Sequence, residues 1–177
     1  LYLVADGLYG PGRMDDGSMT GMIADVVNRK ADFAIADMTV TAFREKFVTF
    51  TEPFFTFSIS ALVKKSNAKN LKTLDDLAIK SNLSVGAYAA RNTLANMGRL
   101  RKDVRTIRWL YNKIIANESN LVQSREEVLY KVKHQPFAFI QEEPKNAYKA
   151  AQDCSLTVLR DPHFYFYGRY AIAFRSD

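Results

Sequence analysis

The 177-residue sequence holds a single cysteine, Cys154, so no internal disulfide can form. That thiol is expected either to be buried and free or to be half of a bridge whose partner lies outside this chain. With only two histidines, His134 and His163, and no second cysteine, a structural zinc site is not expected. No apolar run approaches the roughly 20 residues that a membrane helix needs. The longest apolar neighbourhood, Pro53 to Val63, is interrupted by Thr56, Ser58 and Ser60. Residues 1–5 are apolar but too short for a secretory leader, and no basic region precedes them. The segment is therefore expected to be soluble, with any targeting element outside it. Internal repeats and low-complexity tracts are lacking as well. So are an RNA-binding aromatic motif, zinc-finger spacing and a helix-turn-helix signature, and no nucleic-acid partner is expected.

What is present is a hydrophobic fraction of 47% and a formal net charge of +6. The first supports a packed core rather than disorder. The basic residues are scattered, with mild concentrations at Arg99-Leu100-Arg101-Lys102 and Lys131–His134. A solvated basic face explains them, and such a field would also welcome an anionic ligand.

Strand and helix patterns alternate along the chain. Strands are expected at Leu1–Ala5, Phe33–Ala36, Val48–Phe50, Ile59–Val63, Leu83–Ala87, Phe137–Ile140, Leu156–Leu159 and Arg169–Phe174. A helix should start near Thr20 with Met22, Ile23, Val26 and Val27 on one face. A short helix is expected from Thr39 to Lys46, and another opens at Thr73, capped by that residue with Asp76 three positions on. Thr93–Arg99 begins a further helix, a mostly helical polar stretch follows to Lys133, and Glu143–Ala151 carries Pro144 in its tolerated first turn. The alternation implies an α/β fold with largely parallel sheets.

Three segments carry chemistry. In Asp37-Met38-Thr39-Val40-Thr41-Ala42-Phe43-Arg44-Glu45, a strand runs into a helix start, where free N–H groups and a positive dipole end favour an anion. A Thr39 hydroxyl and a planar Arg44 fork would together suit one carboxylate. The bland alternative makes Thr39 a helix cap and Arg44 a surface partner of Glu45. In Gly86-Ala87-Tyr88-Ala89-Ala90-Arg91-Asn92-Thr93, a second strand leads into a helix start, with plain capping by Asn92 as the alternative. In Phe137-Ala138-Phe139-Ile140-Gln141-Glu142, an acid ends a buried strand, where open α/β sheets place ligand contacts. Glu142 could pair with an ammonium group, or be an exposed loop acid. A carboxylate cradle and a separate acid for an amine describe an α-amino acid site.

The ordered set Asp6-Gly7-Leu8-Tyr9-Gly10, Thr20-Gly21-Met22-Ile23, Lys30 to Ala36, Thr39 to Lys46, Phe50-Thr51-Glu52-Pro53-Phe54, Leu74-Asp75-Asp76-Leu77, Gly86 to Thr93, Phe137 to Glu142 and Tyr167 to Ala173 resembles the ligand-binding domain of ionotropic glutamate receptors. The resemblance implies a bilobed, periplasmic-binding-protein-like clamp of type II, with two mixed sheets flanked by helices. Lobe 1 would hold residues 1–57 with 169–177 returning to it, and lobe 2 residues 58–168. It implies an extracellular agonist-binding domain of a ligand-gated cation channel that closes on an α-amino acid to gate the pore. It implies neither enzymatic activity nor a cofactor. The parent receptor would sit in the plasma membrane as a homo- or hetero-tetramer with dimeric binding domains. A free-standing amino-acid-binding protein on the same clamp is the alternative.

Carried over residue by residue, Arg44 resembles the clamp on the agonist α-carboxylate. Thr39 assists it, and Glu142 resembles the acid that holds the α-ammonium. Tyr9 is similar to the aromatic lid. Asn92 and Thr93 fall on a Ser-Thr pair that takes agonist carboxylates. Ser124 matches a threonine close to the cleft, and Tyr170 a tyrosine near the ligand acid. Asp37 stands where a proline is common, with only its carbonyl needed. Arg91 replaces a glycine beside the pocket for the agonist side chain. Its volume favours glycine as agonist, while the Thr93 hydroxyl favours glutamate, so both stay open. In the family, pore segments separate the two binding segments. Here residues 66–70 join them, which reads as an engineered splice, and the resemblance places the partner of Cys154 outside the chain.

Overall fold

Asp6 organises the start of the first helix from 15 positions upstream. Thr20 is extended and makes no side-chain cap, and helix α1 (Gly21–Val27) begins after it. Its leading N–H groups are taken by the preceding loop: Gly21 donates to the Asp6 carboxylate at 2.8 Å, Met22 to the Leu8 carbonyl at 3.0 Å and Ile23 to the Tyr9 carbonyl at 3.1 Å. A helix end has orphan donors, and here a tight crossing of backbone satisfies them. Gly10 and Gly21 make that crossing possible. Both have positive φ, 81° and 69°, and a Cβ on Gly10 would stand 2.0 Å from the Thr20 carbonyl oxygen.

The structure, a computed structural model, describes residues 1–10, 17–89, 92–163 and 168–176. It divides into two compact units, Leu1–Thr56 with Gly168–Asp177, and Phe57–Tyr167. In the first unit, Ile23 and Val26 of α1 are fully buried and pack with Ala34, Met38, Val48 and Ala173. Strands β1 (Phe33–Ala34), β2 (Val48–Phe50) and β10 (Ala173–Arg175) form a sheet in the order β1-β10-β2. Both pairings are antiparallel, with Ala173 between Ala34 and Phe50. The chain terminus thus completes a sheet begun near the other end. Strands β3 (Phe55–Phe57) and β9 (Gly168–Tyr170) make a two-stranded ladder.

Three expectations in this unit need correction. Leu1–Ala5 is not a strand: it has no ladder partner among the described residues, and Leu1 and Leu3 are exposed. The strand at Phe33 is two residues long, and Phe33 itself is half-exposed, because only Ala34 points into the core. No helix runs from Thr39 to Lys46. Thr39 instead bridges Tyr170 in extended conformation, and Val40 donates to the Arg169 carbonyl. A single 3-10 turn, Arg44–Lys46, follows, and the Arg44 N–H donates to the Thr41 hydroxyl. Pairing to β9 outcompetes helix propensity at Thr39 and Val40, both poor helix formers.

The second unit is built on strands β4 (Ile59–Lys64), β5 (Ser84–Tyr88), β6 (Leu121–Val122), β7 (Phe137–Glu142) and β8 (Leu156–Arg160). Their order is β6-β5-β7-β4-β8. β5 is parallel to β6 and β7, whereas β4 is antiparallel to both β7 and β8. Among the described strands of this sheet, β4 is therefore the one that runs the other way, and the sheet is mixed rather than largely parallel. β7 is buried along its whole length and β4 up to Lys64, as fits strands covered on both faces. The covering helices are α2 (Leu74–Lys80), α3 (Asn92–Leu100), α4 (Arg105–Ile115), α5 (Arg125–His134) and α6 (Glu143–Gln152). Leu62, Tyr88, Val122, Val128, Val132, Phe137, Phe139 and Leu156 pack as the core.

Helix boundaries here follow local chemistry closely. Thr73 and Asp76 make the reciprocal capping box. Lys80 adds an ion pair to Asp76 at 2.7 Å, and the Lys72 and Thr73 N–H groups donate to the same carboxylate. Together they hold the Asp76 carboxyl down at about 2. Cys154 is a free, exposed thiol, not a buried one. Among the described residues, no helix is long and apolar enough to cross a membrane.

Candidate functional site

Arg44 is the most constrained charge of the first unit. It is 5% exposed although it lies on a short 3-10 turn. Its Nε donates to the Gly10 carbonyl at 2.9 Å, and its Nη1 donates to the Thr39 carbonyl at 2.7 Å. The two acceptors come from the glycine crossing before α1 and from the segment paired to β9. A guanidinium held at two points cannot swing, so its planar fork has one fixed direction. This rules out the bland alternative of a surface Arg44 paired with its neighbour Glu45. It also replaces the expected helix-start cradle: the anion-favouring feature here is the anchored guanidinium, not a row of free helix N–H groups.

Around Arg44 the same unit gathers Thr39, Tyr9, Asp37 and Tyr170. Thr39 is buried and bridges Tyr170, which is also buried and stacks on Phe55 with ring centroids 6.0 Å apart. The Tyr9 hydroxyl donates to the Asp37 carboxylate. Asp37 therefore contributes its side chain, tethering the aromatic ring expected to act as a lid. Asp6 is part of the same scaffold. Main-chain N–H bonds from Leu8 and Gly21 hold its carboxyl below the ordinary range.

In the second unit, the parallel strands β5, β6 and β7 end on one edge of the sheet. Gly86 stands opposite Phe139, and Tyr88 opposite Val122. Continuing that register sets Glu142 level with Ala89 and Ser124 one step beyond. Thr93, in the first turn of α3 after β5, is buried. Ser124 is exposed and caps α5, accepting from the Glu127 N–H at 3.1 Å. Glu142 is only 7% exposed, so it is not a loop acid. It ends β7 and directly precedes α6, yet its carboxylate makes no helix cap. It pairs instead with the Lys145 ammonium at 2.8 Å. Arg91 and the side chain of Asn92 lie outside the described residues.

Three functional contributors were not foreseen from the sequence. The Gly10 carbonyl orients Arg44, and only a long-range crossing reveals it. Asp6 closes the helix start from too far upstream to read as a cap. Lys145 could have been found, since Glu142 and Lys145 stand at i,i+3 on either side of a helix start. Among the described residues, no group of three or more His, Cys, Asp or Glu side chains is placed to hold a metal ion.

Residues 1–67, the segment that contains Arg44, Thr39, Tyr9 and Asp37, match the family described as "Ligated ion channel L-glutamate- and glycine-binding site". Over that segment the chain is similar to the ligand-binding region of ionotropic glutamate receptors. The glutamate receptor ionotropic, kainate 5 of Mus musculus is 52% identical to this domain over 64 residues, 36% of this chain and 6% of that protein. The corresponding kainate 1 receptor of Homo sapiens is 43% identical over 68 residues, 38% of this chain and 7% of that protein. The domain thus spans under a tenth of the curated relatives it matches. In fold, it is similar to the Drosophila muscle GluRIIB complex with glutamate. The TM-score is 0.80 at 24% identity, over 98% of this chain and 68% of that one. The helix-covered mixed sheet of the second unit fits an α/β fold of that kind.

Proposed function

We propose that this domain is the extracellular agonist-binding part of a ligand-gated cation channel, and that its agonist is an α-amino acid, glycine or glutamate. Arg44 receives the α-carboxylate with help from Thr39, and Tyr9 covers the ligand under the tether from Asp37. Glu142 receives the α-ammonium. Thr93, with Arg91 and Asn92 before it in the chain and Ser124 at the start of α5, serves the remaining acceptor groups, and Tyr170 backs Thr39. The parent receptor is a homo- or hetero-tetramer with paired binding domains.

The observation that carries this reading is the buried, doubly anchored Arg44 within the segment matched to the glutamate- and glycine-binding family. A preorganised guanidinium fork suits bidentate recognition of a carboxylate. Calorimetric titration with glycine and L-glutamate side by side tests it. Saturable one-site binding of either amino acid, lost for the analogue without its α-carboxylate, is expected. Binding that ignores the α-carboxylate would remove the role of Arg44.

A further inference from the structure

Half of the residues from 99 to 108 carry a positive charge: Arg99, Arg101, Lys102, Arg105 and Arg108, with Asp103 as the one acid among them. They lie at the corner of the second unit where α3 ends and α4 begins. The corner is held rigidly. Arg108 reaches back to the end of α3, its Nε donating to the Arg101 carbonyl at 2.8 Å and its Nη2 to the Lys102 carbonyl at 2.6 Å. The Arg101 guanidinium lies over the Tyr111 ring of α4, 4.7 Å from its centroid. Gly98 gives that ring its room, since a Cβ there would stand 3.3 Å from it.

Fold stability does not explain the remaining cations. Arg105 opens α4, and no acid stands in its first turn, although the positive end of a helix dipole favours acids. Arg99, Lys102, Arg105 and Arg108 are exposed. Among the described residues, none of the five enters an ion pair. Asp75 of α2 meets the corner through the Thr106 hydroxyl, and its other oxygen faces His163 at 3.2 Å. Trp109, four positions after Arg105 on the same helix, is exposed as well. Like charges gathered without acids repel one another in the isolated domain and raise the local positive potential.

We propose that this corner is a docking surface for a sulfated polysaccharide. Short runs rich in lysine and arginine suit polyanions. A guanidinium fork takes two oxygens of one oxyanion at once, and the exposed indole offers an apolar face to a sugar ring. An exposed corner does not enclose a small anion, whereas an extended chain of repeated charges meets several cations together and releases its condensed counterions. The choice of a polysaccharide over a nucleic acid rests on the extracellular placement proposed above. The agonist site takes no part in it.

The experiment titrates a size-defined heparin fragment into the whole chain, following heat and the emission of Trp109, the sole tryptophan. Saturable binding that changes this emission and weakens steeply with salt is expected. Lys102→Gln with Arg105→Gln should weaken the fragment by about tenfold and make the salt dependence shallower. The same variant should melt no lower by circular dichroism, because a cation leaves the positive end of α4. Lys65→Gln with Lys69→Gln removes as much charge from exposed positions elsewhere in the unit and should leave the affinity nearly unchanged. Equal weakening by both double variants would reduce the effect to net charge and overturn the proposal. So would binding that leaves Trp109 emission unchanged, or tighter binding of single-stranded DNA or polyglutamate of equal charge. Glycine or L-glutamate titrated into the same proteins reads the agonist site separately: a chain that binds its amino acid but not the fragment would overturn this inference and leave the proposed function intact.

Discussion

Replacing Arg44 by lysine separates the charge of this residue from its shape. Lysine keeps one positive charge but has no donor at the position of Nε and no planar fork. The Gly10 carbonyl, which accepts from Nε at 2.9 Å, then loses its partner. It cannot turn to find another, because Gly10 is fixed at φ 81° against the Thr20 carbonyl. The lysine ammonium can still serve the Thr39 carbonyl, so one of the two anchoring bonds is lost rather than both. A hydrogen bond from a charged donor contributes about 1.5–3 kcal/mol, and the stability of the first unit should fall by that amount. Agonist affinity should fall by roughly 10- to 100-fold, since bidentate geometry is lost while charge is kept. Urea unfolding followed by circular dichroism reads the first effect, and calorimetry the second. Trp109 is the sole tryptophan and lies on α4 in the other unit, so its fluorescence provides a control that the second unit remains native. A lysine variant with unchanged affinity and unchanged stability would refute the account of Arg44 as an anchored fork.

Three further outcomes are expected. Glu142→Gln keeps the shape and removes the charge facing the ammonium, so affinity should fall at least tenfold, about 1.4 kcal/mol; equal binding of an agonist analogue lacking the amine would contradict this. Tyr9→Phe and Asp37→Ala each remove one end of the same hydrogen bond. Their effects on agonist dissociation should therefore be non-additive in a double-mutant cycle, by about 0.5–3 kcal/mol, and strict additivity would mean that the tether does no work on the ligand. Asp76 is held at about 2 against an ordinary 3.8. A carboxyl lowered on folding stabilises fully above about pH 4, and that contribution fades as pH drops towards 2. Asp76→Asn should lower stability at neutral pH and flatten the acid limb of the stability profile, whereas an unchanged limb would remove Asp76 from the account.

The sequence foretold best where structure is set by neighbouring residues. The capping box at Thr73 and Asp76 needs only four consecutive positions, and α2 begins where they place it. Pro144 marks the start of α6 in the same way. Strand β7 followed from the apolar run Phe137–Ile140, although it continues through Gln141 to a buried Glu142. It read less well where distant segments meet. Thr39 and Val40 look like a helix entrance until residues 169 and 170 arrive to pair with them. Leu1–Ala5 has the composition of a strand, but composition cannot supply a ladder partner. The support of Arg44 was invisible for the same reason. Its acceptors are main-chain carbonyls at Gly10 and Thr39, and a carbonyl has no letter in the sequence.

The parallel edge of the second unit has a consequence for how such a domain can diverge. Thr93 and Ser124 follow, and Glu142 ends, strands whose heights are locked by the ladders between Gly86 and Phe139 and between Tyr88 and Val122. The strand residues inside those ladders are internal, and changing them disturbs packing. The positions at the strand ends hold their location from those ladders rather than from their own side chains. A duplicated gene could therefore exchange residues at these few tips and acquire appetite for a different small molecule while its folding remained untouched.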